Sequence, residues 1–503
     1  MNTTVRGVDV LREKAAQSAP RGAIEPLPQE LIAELRLILG EQGVIADPGA
    51  LLVWESDGLT AYRVTPRAVL LPRTTDETAR TLQILAREKI PFVPRGAGTG
   101  LSGGALALEG AVSISFSRMK RILEIDPANR RARVQPGVVN TALSVAAQPY
   151  GLYYAPDPSS QTVCTIGGNV AENAGGPHCL KYGVTMNHII SLTVVLPSGA
   201  VVQLGPQGGE TIGYDLVGLF IGSEGTFGIA TEIVVRLLPI PEAVETVVAL
   251  FDRIDDASRV VSEIIAAGML PAALEMVDRQ AIIAIEASAY AAGLPTDIGG
   301  ILLVEFDGRR AGLASDADRA VQLCKDGGAR EVRRAHNAEE RQRMWYARKK
   351  AFGAMGRLAP DILVQDAVVP RSKLPAVLNR IYEIAEQHHV ILCNMFHAGD
   401  GNLHPTIAFD RRNPEQVAAV HEASRKMMHA CVEAGGTITG EHGVGLDKRQ
   451  YMELVFSEAE MSAMCAVRDV FNPTGLANPA KILPLHVCRE WAGPATNVEG
   501  EHA

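Results

Sequence analysis

Five glycines fall between Gly96 and Gly104 in the stretch Pro94-Arg95-Gly96-Ala97-Gly98-Thr99-Gly100-Leu101-Ser102-Gly103-Gly104-Ala105. Glycines at this density present bare backbone N–H groups, which is how a nest for phosphate oxygens is built. A dinucleotide fingerprint of the Gly-x-Gly-x-x-Gly kind would open a helix. Here the glycines lead into the alternating segment Val112-Ser113-Ile114-Ser115, so an ordinary Rossmann unit is disfavoured while pyrophosphate binding stands. Upstream, Val69-Leu70-Leu71-Pro72 reads as a short buried strand, followed by a helix over 75–89 and a strand over 90–93, a β-α-β unit. Before it, residues 28–40 carry helix-spaced Leu31, Leu35 and Ile38 between a proline start and a glycine stop.

The tract 156–176 alternates small residues, hydroxyls and amides as surroundings of a polar cofactor would, and loops of this length in a compact domain are usually functional. A helix over 139–148 precedes it, and the segments 192–196 and 201–204 flank Pro197-Ser198-Gly199-Ala200 as a β-hairpin. Phe220-Ile221-Gly222-Ser223-Glu224-Gly225-Thr226-Phe227-Gly228-Ile229 offers another glycine-spaced approach before a strand over 232–238. Pro239-Ile240-Pro241 is the best candidate for a domain boundary. Beyond it glycine thins out, and strands (244–251, 301–306) alternate with amphipathic helices (257–267, 314–326), which predicts an antiparallel α+β layer.

Within that second half lies Asn394-Met395-Phe396-His397-Ala398-Gly399-Asp400-Gly401-Asn402-Leu403-His404-Pro405. Its Gly-Asp-Gly-Asn centre is a strong chain-reversal signal, so His397 and His404 are expected to meet. About forty residues on, Gly440-Glu441-His442-Gly443-Val444-Gly445 sets a carboxylate and a third imidazole between glycines. Two neutral imidazoles and one carboxylate, His397, His404 and Glu441, suit a divalent metal with an open position, zinc ahead of iron or manganese on ligand type.

The 503-residue chain is long enough for two or three domains, and its 47% hydrophobic content supplies their cores. A formal net charge of −9 argues against nucleic acid as a partner. No apolar run long enough to span a bilayer and no signal segment is apparent, so a soluble, cytoplasmic protein is expected. The seven cysteines are scattered singly, which predicts reduced and mostly buried thiols, with no iron–sulfur centre in this chain and Cys393 in a core.

Taken together, the loop 94–105, the tract 156–183, the pair Glu224-Gly225 and the two histidine motifs resemble the FAD-linked oxidases of the vanillyl-alcohol oxidase, or PCMH-type, fold. That family includes the flavin-carrying subunit of bacterial glycolate oxidase and the D-lactate and D-2-hydroxyglutarate dehydrogenases. The resemblance implies an α+β architecture: an N-terminal arm with helices (1–59), a PCMH-type FAD-binding domain of two subdomains (60–241), an α+β cap bearing the metal site (242–460), a segment returning to the FAD (461–488) and a disordered tail (489–503). It implies FAD held at Arg95, Gly96, Ala97, Gly98, Thr99, Gly100 and Ser102, and further along at Pro156, Asp157, Ser159, Gly167, Gly168, Asn169, Glu172, Asn173, Gly175 and Gly176, with Glu224, Gly228, Ile229 and Asn478 completing the set. Members that bond flavin covalently through the first loop carry a histidine where Thr99 stands, so a non-covalent flavin is expected.

The expected chemistry is oxidation of a small 2-hydroxy acid, glycolate or D-lactate. Arg348 is the anchor for the substrate carboxylate, the metal lowers the hydroxyl pKa, His442 is the base and FAD takes the hydride. Relatives taking dicarboxylic acids place a lysine where this chain has Ile362-Leu363-Val364, which points to a monoacid, with Arg371 or Lys373 as a further anchor. With no second dinucleotide site and no haem motif, electrons are expected to leave through flavin-domain and iron–sulfur partner subunits, which would also carry the chain to the membrane; a free-standing homodimer using a diffusible carrier is the alternative. A metal-dependent hydrolase would leave tract 156–176 without a purpose, and a yellow purified protein excludes it. A silent flavin-binding subunit fits poorly with His397, His404, Glu441 and His442 all present.

Overall fold

The structure, a computed structural model, describes residues 25–108, 110–206 and 212–488. The disordered tail expected over 489–503, and residues 1–24 of the arm with helices expected over 1–59, lie outside the described residues.

Helix α1 (Gln29–Leu39) buries Leu31, Ile32, Leu35 and Leu39 and stops at Gly40, whose φ of +77° a side chain would resist. Strands β1 (Val44–Ile45), β2 (Val69–Leu70), β3 (Phe92–Arg95) and β4 (Val112–Ser115) form a sheet of order β1-β2-β4-β3, its last three strands parallel. Helix α2 (Thr75–Arg87), capped by the Thr74 side chain on the Glu77 N–H, covers it through Ala79, Leu82 and Leu85. The β-α-β reading of β2, α2 and β3 holds, with β4 inserted between the two strands. Strand β4 is buried at all four positions rather than alternating, because it is central and covered on both sides.

A second subdomain is an antiparallel sheet, order β5-β6-β9-β7-β8, made of β5 (Ile122–Asp126), β6 (Arg131–Val134), β7 (Ile189–Val195), β8 (Val201–Leu204) and β9 (Ile229–Arg236). The hairpin expected around residues 196–201 is the β7–β8 pair. Helix α3 (Asn140–Ala147) lies on its core, and so does α4 (Ile166–Glu172), which folds within the tract read from sequence as a long loop. Thr165 caps α4 from its hydroxyl to the Gly168 N–H, and Asn173 ends it at φ +54°.

The remaining half is built on nine antiparallel strands: β10 (Ala243–Phe251), β11 (Ala273–Asp278), β12 (Gly300–Gly308), β13 (Glu331–Arg334), β14 (Asp361–Val364), β15 (Ala367–Val368), β16 (Ile391–His397), β17 (Asn402–Leu403) and β18 (Pro405–Phe409). The main path runs β13-β10-β12-β11-β16-β17-β15. Helices α5 (Ile254–Ala266), α7 (Arg310–Asp326), α9 (Leu374–Gln387) and α10 (Pro414–Glu433) share one core with it, and α6 (Arg279–Glu286) and α8 (Ala338–Met355) share another. Val247 and Ala249 of β10 face the first core and Val248 and Leu250 the second, which is the period of two that a doubly covered strand needs.

Helix α11 (Glu458–Phe471) leads into a return segment. Phe92 donates to the Leu476 carbonyl at 2.9 Å and accepts from the Asn478 N–H at 2.8 Å, and buried Lys481 donates to the Leu106 carbonyl at 2.8 Å. The expectation of reduced thiols fails at one pair: Cys465 and Cys488 are joined as a disulfide, their Cα atoms 6.0 Å apart. They are 23 residues apart, and only the doubling back of the chain after α11 brings them together. Cys164, Cys179, Cys324, Cys393 and Cys431 are free, and Cys393 sits in the second cap core as expected. Among the described residues no helix is long and apolar enough to cross a membrane.

Candidate functional site

A cavity of about 610 Å³ opens between the two halves. One wall is the glycine loop after β3, the N-terminal turn of α4 and the loop before β9; the other carries Arg348, Lys349 and Phe352 from α8, Val364 of β14, Met395 of β16, and His404, Glu441 and His442.

On the first wall the glycines do different work. Gly100 has open space where a Cβ would go, so its backbone is bare to the cavity. Gly98, at φ +71°, has the Arg95 guanidinium packed where a side chain would stand. Arg95 therefore braces the loop from beneath: its Nη2 donates to the Ser56 carbonyl at 2.7 Å and its guanidinium lies 5.6 Å from the Trp54 ring centre. Nη1 of Arg95, Nδ2 of Asn169 and Oγ of Ser223 are buried without a protein partner, and all three residues line the cavity. Unmet donors beside bare glycine backbone fit a ligand rich in acceptors, as a dinucleotide is.

Of the other residues singled out for the cofactor, Gly96, Ala97, Thr99, Ser159, Gly167, Gly168, Glu172, Gly175, Glu224, Gly228 and Ile229 also line the cavity. Six are set back from it. Ser102 is wholly buried and its carbonyl accepts from the N–H groups of Leu446 and Asp447. Pro156 accepts from the Asn140 amide, Asn173 receives the Met186 N–H, and Gly176 packs on the Asp157 backbone. Asp157 turns toward the cap, 2.7 Å from Nδ1 of His178, whose Nε2 is 3.2 Å from Oε1 of Glu305 on β12. Asn478, in the return segment packed on the first subdomain, ties two flavin-side loops together by donating to the carbonyls of Gly104 and Glu224.

On the second wall the reversal does bring the two histidines together. β16 ends at His397, β17 starts at Asn402 opposite it, and the rings of His397 and His404 are 5.2 Å apart and perpendicular. Glu441 Oε1 is 3.1 Å from His397 Nε2 and 3.2 Å from His404 Nε2, and one ligand atom from each of the three lies within 4.8 Å of the others. His397 stands behind the cavity wall, with Nδ1 2.6 Å from Glu275 Oε1. This carboxylate–imidazole–carboxylate chain is how metal-ligating histidines are oriented. His442 stacks on His404, ring centres 4.9 Å apart, with its own Nδ1 buried and unpartnered.

Electrostatics follow from burial. Burial opposes charge on His397, but Glu275 and Glu441 on either side raise its pKa to about 10. Glu441, penalised by burial, is held well below the usual carboxylate range by His397 and His404. Burial pushes His442 down to about 4, with the positive fields of His404 and Lys448 adding to the effect against Asp366 and Glu441, so its ring is neutral.

Three groups escaped the sequence reading. Glu275 is an acid in a strand buried at every position, Ala273–Asp278, and that misfit was its one visible signal. Besides His397 it holds Arg348, whose Nε donates to Oε2 at 2.7 Å, with Glu275 wholly buried and Arg348 nearly so. Asp366 Oδ2 accepts from the N–H groups of Gly440, Glu441 and His442, from the Thr439 hydroxyl and from the buried Lys448 ammonium, which fixes the loop that carries Glu441 and His442. Its Oδ1 is unpartnered, 3.7 Å from His404 Nδ1. Lys349, exposed on α8, lines the cavity with Nζ 5.4 Å from the Trp345 ring centre. Arg371 and Lys373 do not reach the cavity, and Arg371 instead donates to the Gly399 carbonyl.

The FAD binding domain family matches residues 66–205, and the family of FAD linked oxidases, C-terminal domain, matches 240–482. The glycolate oxidase subunit GlcD of Escherichia coli (strain K12) is 46% identical over 442 residues, covering 88% of each chain. The chain belongs to the FAD-linked oxidases. A D-lactate dehydrogenase of Anaerostipes hadrus is 34% identical over 437 residues, covering 85% of this chain and 91% of its own. Among solved structures, p-cresol methylhydroxylase with substrate bound superposes with a TM-score of 0.77 at 15% identity, over 91% of this chain and 97% of the other, which extends the shared fold to the PCMH type. As a member of the FAD-linked oxidases the protein is an FAD-dependent hydroxy-acid oxidoreductase, and the cavity of unmet donors and bare glycine backbone is where such a cofactor fits.

Proposed function

We propose that the protein oxidises a small 2-hydroxy monoacid, glycolate or D-lactate, to the 2-oxo acid at the cavity between the glycine loop and the histidine wall. The observation that carries this reading is that Arg348, His404, Glu441 and His442 share one cavity with the glycine loop. FAD, bound without a covalent link beside Thr99, supplies the hydride acceptor. His397, His404 and Glu441 would hold a divalent metal, zinc by ligand type, and its charge there would favour the alkoxide form of the substrate hydroxyl.

Arg348 meets the substrate carboxylate with Nη1 and Nη2, because its Nε is taken by Glu275. Glu275 thus aims both the anchor and His397. His442 takes the hydroxyl proton on its unpartnered Nδ1. Val364 and Met395 line the same cavity with apolar surface, which favours a short acid over one with a second carboxylate to desolvate. Electrons leave through flavin-domain and iron–sulfur partner subunits, in keeping with the similarity to a protein named as an oxidase subunit.

The test is anaerobic reduction of the purified yellow protein. Glycolate or D-lactate is expected to bleach the flavin at least tenfold faster than D-2-hydroxyglutarate. Equal bleaching by the dicarboxylic acid would overturn the size argument, and bleaching by neither monoacid the whole reading. Metal analysis should find about one equivalent per chain, lost in His404→Ala while flavin stays. Recovery from native cells in a complex containing iron and acid-labile sulfide supports the partner reading, and a fully active homo-oligomer refutes it.

A further inference from the structure

Two carboxylates of the flavin-side wall meet where hydride chemistry has no stated use for them. Glu172 ends α4; Glu224 stands at φ +51° in the loop before β9, a left-handed conformation that a glutamate adopts only when its surroundings demand it. Both line the cavity and both press on the same two glycines. A Cβ on Gly104 would lie 3.1 Å from Glu172 Oε1 and 3.9 Å from Glu224 Oε2, and a Cβ on Gly443 would collide with Glu172 Oε2 and come within 2.8 Å of Glu224 Oε1.

Their hydrogen bonding is unequal. Burial raises the Glu224 carboxyl as well, but Glu224 receives the N–H groups of Val444 and Gly445, each at 2.7 Å, and these favour its charged form. Glu172 Oε2 is shut off from solvent and has no partner at all. An ionised oxygen in that state, beside a second carboxylate, would bear the full desolvation cost plus like-charge repulsion; a protonated carboxyl bears neither. The charged groups facing Glu172 are Glu224, Asp57, Lys448 and Lys481. Burial raises the Glu172 carboxyl well above its ordinary range, and Glu224 and Asp57 raise it further against the two lysines.

We propose that Glu172 and Glu224 form a one-proton carboxyl pair with the proton on Glu172, which gives the cavity wall a neutral hydrogen-bond donor for the bound flavin and anchors the loop after His442 through Glu224. This rests on the reading of the cavity as the FAD site. Two carboxylates this close behave as one acid and one anion, and which is which is set by their other partners.

Infrared difference spectra of the holoenzyme near neutral pH test it directly. A protonated-carboxyl stretch is expected in the native protein and absent from Glu172→Gln, and an unchanged spectrum in that variant, or no such band in the native protein, overturns the assignment. Titration of the deflavinated chain with FAD tests the donor role. Glu172→Gln, an uncharged donor of the same shape, should stay within about threefold of native affinity, and Glu172→Leu should weaken it about tenfold, one hydrogen bond's worth, and shift the visible flavin band. Equal losses in both variants would mean that charge is what matters, and native affinity in Glu172→Leu that there is no contact. Failure of the native chain to bind FAD would defeat the site reading instead, whatever the infrared spectrum shows.

Discussion

Asp366 shows how much one buried side chain decides. Its Oδ2 gathers three successive N–H groups, a hydroxyl and the Lys448 ammonium, with both partners of the ion pair wholly buried. Asp366→Asn keeps the shape but strands Lys448, which should cost about 3–5 kcal/mol in a denaturant titration. If the amide oxygen keeps the N–H donors, the NH₂ group faces His404 Nδ1 and forces the proton onto Nε2, the atom turned toward Glu441. Metal affinity should then fall about 10–100-fold while FAD remains bound. The double variant Asp366→Asn/Lys448→Met should regain stability without regaining metal, and recovery of both would show that Asp366 only maintains the fold. His442→Ala should lower kcat about 10²–10⁴-fold with flavin content unchanged.

At the scale of the element, the two glycine-dependent turns separate folding from binding. Gly401 closes the β16–β17 reversal at φ +74°, with the Val369 carbonyl where a Cβ would go. Gly401→Ala should therefore cost about 2 kcal/mol or more, seen as a lower thermal midpoint. Gly100 has no atom within 4 Å of a Cβ and is absent from the positive-φ residues. Gly100→Ala should leave the midpoint unchanged and weaken FAD binding, since the methyl enters the cavity. The reverse pattern would show that the loop is structural and the turn is not. Helix α4 was invisible in the tract 156–176 because Gly167 and Gly168 are poor helix formers; its Thr165 cap and the packing of Ile166 and Val170 into the second-subdomain core stabilise it instead.

Across the whole molecule, His178 is a charged clasp between halves. It lies between Asp157 of the flavin side and Glu305 of the cap, its ring stacked 5.6 Å from Trp345, one turn before Arg348 on α8. Burial would depress its pKa, yet the two carboxylates raise it well above the ordinary value. A histidine raised on folding contributes stability that is full below its unfolded pKa of about 6.5 and is lost as pH climbs through the raised folded value. The difference in unfolding free energy between the native protein and His178→Asn should be largest in acid and shrink on the alkaline side. A difference independent of pH would mean that the ring acts by packing on Trp345 alone.

The sequence by itself determined the family, the architecture of glycine-looped sheets followed by an antiparallel α+β layer, and the meeting of His397 with His404. These are local facts: turn chemistry, glycine density and hydrophobic period act over a few residues and survive any tertiary arrangement. Tertiary structure alone decided that Arg95 braces its loop, that Asp157 faces His178, that Glu275 aims both Arg348 and His397, and that Cys465 finds Cys488. Each of these depends on which buried polar atom lies beside which, across separations such as the 73 residues from Glu275 to Arg348. A buried charge must be matched wherever the folded chain brings a partner, and no local pattern records that choice.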